Sequence, residues 1–123
     1  MQPFPPLDHL PSFKGDEIVQ IWLDPWGLRF LFTSKTQIYT EFRIEQIEPD
    51  GVVWPYECQS PVKSPLIVQR LLHQKVASFG RSDLCLTFDF AHGAKLLVFS
   101  EIGQYESGHI TTSPGMFDAF NVF

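Results

Sequence analysis

Cysteine is scarce in this 123-residue sequence: Cys58 and Cys85 are the only two, and no Cys-x-x-Cys spacing suggests zinc or a redox pair. Positive charge is scarce as well. Nine basic residues face 14 acidic ones, for a net charge of −5. A phosphate backbone is held by clustered Lys and Arg, so neither DNA nor RNA is an expected partner. No apolar run approaches the roughly eighteen residues that cross a bilayer, so no membrane association is expected. Met1 to Gly15 lacks the basic start and continuous apolar stretch of a secretory signal, and Pro3, Pro5, Pro6 and Pro11 interrupt it. A cytoplasmic protein is expected. Nucleophile elbows, phosphate-cradling glycine loops, dinucleotide fingerprints and paired helical histidines are all missing. His9, His73, His92 and His109 are scattered over an arm, a helix end, a turn and a weak strand. The sequence therefore reads as non-enzymatic, with no cofactor and no metal.

What the chain does have is aromatic and aliphatic mass. Hydrophobic residues make up 44% of it and aromatics 15%, with 12 phenylalanines. Rings favour strands, and a chain of this length can bury a core without disulfides or metals. Residues 1–15 form a proline-rich arm whose Phe4, Leu7, Leu10 and Phe13 are available to dock on a surface. Residues 16–123 form a single β-rich domain.

Within that domain, Ile18–Leu23 reads as a strand ending at the turn Asp24-Pro25-Trp26-Gly27. Leu28, Phe30 and Phe32 give a second strand, and Ile38–Ile44 a third, with Ile38, Thr40, Phe42 and Ile44 on one side. Val52–Trp54 reads as a short edge strand. Ser64-Pro65 then looks like a helix start, with Leu66, Ile67, Val68, Leu71 and Leu72 as the apolar stripe of about ten helical residues. Strands resume at Lys75–Phe79, Leu84–Phe90 and Lys95–Phe99, with weaker candidates at Gln104–Thr111 and Asp118–Phe123. The two halves look alike. The pattern leaves open whether this is a duplication or a likeness common to any two meanders.

The expected fold class is α+β: a curved, mostly antiparallel sheet of roughly seven to nine strands, made from two meanders with one short helix between them. A partly open barrel and a two-layer packing are both compatible. Phe30, Phe32, Leu84, Leu86 and Phe88 are the expected core of the central strands.

Leu71-Leu72, Val76, Leu84-x-Leu86-x-Phe88, His92-Gly93-Ala94-x-Leu96-x-Val98, Tyr105-Glu106-Ser107 and Ser113-Pro114-Gly115 resemble a family of small bacterial β-rich proteins of unknown function. The resemblance covers mainly residues 64–123. The family shows Tyr-Glu-x-Trp and a late Pro-Gly-Gly; this chain has Gly108 in place of the Trp and Met116 after Pro114-Gly115. Some similar proteins look like immunity factors that neutralise toxins. The resemblance thus implies an immunity-like binding role and supplies no catalytic residue.

Two candidate sites follow. Glu45, Glu48, Asp50, Trp54 and Tyr56 combine acids with aromatic anchors, which suits a basic protein partner, or else form a solvated loop whose Trp54 folds inward. Tyr105 and Glu106 alternate across a strand and could line a pocket, which favours the alternative of a small-molecule-binding β-domain with an aromatic-lined cavity. The leading expectation is a protein-binding domain that uses the acidic aromatic surface.

Overall fold

The computed structural model describes residues 3–10, 12–101, 107–111 and 120–123. Alternation of apolar and polar residues builds ten strands among the described residues: β1 Ile18–Asp24, β2 Gly27–Phe32, β3 Gln37–Thr40, β4 Arg43–Ile47, β5 Val53–Glu57, β6 Val76–Arg81, β7 Cys85–Phe90, β8 Lys95–Phe99, β9 Gly108–Thr111 and β10 Phe120–Val122. They form two five-stranded antiparallel sheets, β1-β2-β3-β9-β10 and β5-β4-β8-β7-β6. The inward residues of both sheets, among them Phe30, Phe32, Ile38, Ile44, Leu86, Phe88, Leu96 and Val98, make one buried core.

The expected helix is absent, so the fold is not α+β. Ser64–His73 holds only a 3₁₀ turn at Val68–Leu71. Arg70 N–H donates to the Ile67 carbonyl and Leu72 N–H to that of Gln69, both three residues back. The buried Gln46 side chain also donates to the Ile67 carbonyl, at 3.2 Å. His73 then enters the left-handed region at φ +63°, which ends any helical path. Tertiary ties thus override the local helix signal. Nor does a closed barrel form: the strands divide between two sheets.

The expected third strand is also two. Ile38–Ile44 breaks at Glu41-Phe42, where the chain leaves one sheet for the other. Glu41 N–H donates to Ser107, and the Phe42 carbonyl accepts from Cys58 N–H, so the corner backbone is paired. Four of the five expected core residues are buried; Leu84 lies just before β7 and is 39% exposed.

The arm belongs to the core. Phe13 is fully buried, with its ring 5.0 Å from Phe32, 4.8 Å from Phe79 and 5.0 Å from Phe88. Phe4 packs on Phe123. Phe4 N–H donates to the Asp83 carbonyl, and the Arg81 guanidinium donates to the carbonyls of Phe4 and Pro5.

Topology and register repeat within the chain. Ile18 pairs with Phe32 and Ile21 with Phe30, on either side of a bulge; Val76 pairs with Phe90 and Phe79 with Phe88, around a bulge at the same place. The numbering offset is constant, 76 − 18 = 58. It also relates the positive φ values of Lys35 and Gly93, and those of Gly15 and His73. Gly15 N–H donates to the Val76 carbonyl, and reciprocally His73 N–H donates to Ile18, both at 2.8 Å. Each half thus contributes a meander to one sheet and a hairpin to the other: β4 pairs with β8, and β9 with β3. The bridge between Glu17 and Lys75 joins equivalent residues and so lies on the pseudo-twofold axis.

Candidate functional site

The β4–β5 hairpin does not present its acids and aromatics together. Glu45 pairs opposite Pro55, while Gln46 pairs opposite Trp54 and Ile44 opposite Tyr56. Paired residues share a face and successive residues alternate, so Trp54 and Tyr56 turn to the interior side and Glu45 to the other. Tyr56 is buried at 3% exposure, and burial raises its pKa. Trp54 is half-buried, and its Nε1 has no hydrogen-bond partner among the described residues.

The acids are spoken for. Arg43 pairs with Glu45 at 2.7 Å and with Glu57. Glu48 pairs with Arg70, and Asp50 Oδ1 accepts from Val52 N–H at 3.0 Å inside its own turn. A depression of about 400 Å³ brings Glu48, Asp50, Arg70 and His92 together, with the Glu48–Arg70 ion pair inside it. The five residues therefore split between an interior-facing side, an outer face and a turn. The acid–aromatic juxtaposition in the sequence is undone by the pleat. Tyr105 and Glu106 lie outside the described residues.

A different apolar surface stands at the far edge of the other sheet. Trp22 is 48% exposed, Leu23 63% and Trp26 51%, in a chain that buries most of its phenylalanines. Along one edge β1 pairs with β2; on the other, Ile18 is bridged to Leu72 and its carbonyl accepts from His73 N–H, and from Val19 onward no strand pairs with it among the described residues. A groove of about 350 Å³ is lined by all five consecutive residues Val19–Leu23, together with Val68, Gln69 and Leu72. Lining by both faces of one strand places the groove along its edge. No lining residue carries a formal charge.

The groove's flanks are held firmly. Trp22, Arg29, Tyr39 and His109 are successive cross-strand neighbours on the outer face. The Arg29 guanidinium lies 5.5 Å from the Trp22 ring centre and 5.0 Å from that of Tyr39, and the rings of Tyr39 and His109 are 5.3 Å apart. Tyr39 Oη donates to Asp24 Oδ2, and burial, followed by that hydrogen bond, pushes its pKa up to about 12. Asp24 Oδ1 also accepts from Trp26 N–H at 2.8 Å, which fixes the β1–β2 turn. The Lys63 ammonium sits 4.8 Å from the Trp26 ring centre, and Gln59 Nε2 donates to the Trp26 carbonyl.

Sequence reasoning missed this rim because Trp22 and Leu23 read as ordinary strand residues. The available signal was the uncharged run Ile18–Leu23, which lacks the Lys, Pro or inward charge that normally blunts an edge strand. No family model, curated protein or solved structure matches the chain.

Proposed function

We propose that the protein is a non-enzymatic binding domain whose contact surface is the β1 rim: Trp22, Leu23, Trp26 and the adjoining groove. The observation that supports this most strongly is the exposure of three large apolar side chains on one edge strand and its turn. Large Trp side chains half in solvent, beside an apolar groove, are the usual make-up of interface anchors. The groove is open along its length, which suits a polypeptide better than an enclosed small molecule.

Selection from a displayed random-peptide library tests the reading. Wild-type protein should enrich binders that a Leu23→Asp/Trp26→Ser double variant no longer retains. Both positions are exposed, so the variant should keep its fold and melting temperature. The reading fails when nothing is enriched, or when the enriched binders hold the variant equally well.

A further inference from the structure

The occupant of the groove can be specified from the molecule's own repeat. We propose, resting on the reading above, that the edge of β1 beyond Ile18, from Val19 onward, takes an extended peptide as an added strand. An apolar or aromatic side chain of the peptide seats against Val68 and Leu72, and basic side chains at its ends reach toward the carboxylates of Glu17 and Asp24.

Three observations carry this. First, alternate residues of an edge strand turn N–H and C=O away from their one partner, and the groove follows that edge from Val19 to Leu23. Second, the pseudo-twofold sets Ile21 against Phe79 and Leu71 against Phe13. At the β6 edge the two rings meet at 4.8 Å, whereas beside β1 the smaller Ile21 lines an open groove and Leu71 is buried. The β6 end also holds an extended, proline-containing segment, the arm, through the carbonyls of Phe4 and Pro5 and the amide of Phe4. An extended segment is thus seated at the end of the equivalent strand, held by the Arg81 side chain and by the Asp83 carbonyl of the following turn. Third, the lining is uncharged but bracketed by Glu17 and Asp24, neither of which is in an ion pair among the described residues. That bracket attracts basic peptide ends. It works against a second copy of this chain, which brings the same two acids and a further −5 of charge.

The open stretch from Val19 to Asp24 is about 17 Å at strand rise, so a peptide of about six residues fits it. The probe is a capped synthetic peptide with lysine at each end, phenylalanine at its centre and alternating valine and threonine between. Titrated into the full chain and followed by Trp fluorescence and calorimetry, it should bind one to one. Glutamate in place of both lysines should weaken binding at least tenfold. Methylating the amides along one edge of the peptide should do the same, while methylating those along the other should leave affinity unchanged. Ile21→Phe, which copies the closed β6 edge, and Leu23→Lys on the exposed rim should each cost at least tenfold with the fold intact.

Equal binding of the two methylated peptides overturns strand addition while leaving the apolar rim as a binding surface. Undiminished binding to both variants, or no binding of the probe at all, overturns the proposal. So does a concentration-dependent dimer that Ile21→Phe abolishes, since it would assign the edge to a second copy.

Discussion

Cys58 shows at the scale of one side chain how burial governs chemistry. Its thiol is fully buried, 3.7 Å from the Thr40 carbonyl, and desolvation pushes its pKa up to about 12 despite the nearby Lys63 ammonium. A thiolate is the reactive form, so Cys58 should resist iodoacetamide at pH 8 in the folded protein and react once the chain is unfolded. Mass spectrometry of the alkylated protein checks this, and rapid native labelling would contradict it. The shift also has a consequence for stability. The unfolded thiol ionises near 9 and the folded one near 12, so the stabilisation is complete below pH 9 and is lost as pH rises from 9 toward 12. Each such group contributes a slope of about 1.4 kcal/mol per pH unit over its window. Tyr39 adds to the loss between about 10 and 12, and Tyr56 acts in the same direction. Urea midpoints measured from pH 7 to 11 should hold steady and then fall, and Cys58→Ala should flatten the onset of the fall.

Elements were legible in the sequence wherever alternation alone decides structure. The period-two runs at Leu28–Phe32, Leu84–Phe90 and Lys95–Phe99 became β2, β7 (without Leu84) and β8, because each buries one face regardless of its partner. Legibility failed where a partner decides. Nothing local in Ile38–Ile44 announces the corner at Glu41-Phe42, and nothing in Leu66–Leu72 announces that Gln46 holds the Ile67 carbonyl. The acidic aromatic segment is divided between faces for the same reason, since register, not composition, sets which residues share a face. Gly108 is a further case. A Cβ there would stand 2.0 Å from the Tyr39 carbonyl oxygen and 2.7 Å from the Phe123 ring. No side chain fits there. Gly108→Ala must therefore push β9 off β3, at a cost of about 1–3 kcal/mol or more for forced overpacking. A denaturant titration showing an unchanged midpoint would rule out the β3–β9 register.

At the scale of the whole molecule, the repeat of meander and exchanged hairpin explains why the likeness of the halves was visible in the sequence but not interpretable. Aligning Val19 with Val76 and Leu28 with Leu84 gives spacings of nine and eight residues and hides the match; register instead aligns Leu28 with Leu86, with a bulge on each side preserving the offset. Because β4–β5 belongs to the second meander's sheet and β9–β10 to the first's, neither half can complete a sheet by itself. Phe13 from the first half likewise fills the space between Phe32 and Phe88, one from each half. A cut in the exposed stretch Pro61–Pro65, between β5 and β6, removes a covalent link but no sheet pairing. Fragments ending and starting there should each be unfolded alone, since each exposes a meander's apolar face and the apolar side of an unpaired hairpin. Mixed in equal amounts, they should reassemble into the two-sheet structure, with the far-ultraviolet spectrum and dispersed amide signals of the intact chain. Folding becomes bimolecular, so the melting temperature of the pair should rise with concentration. A fragment that folds alone, or a pair that never recovers dispersion, would contradict the exchange of hairpins between the halves.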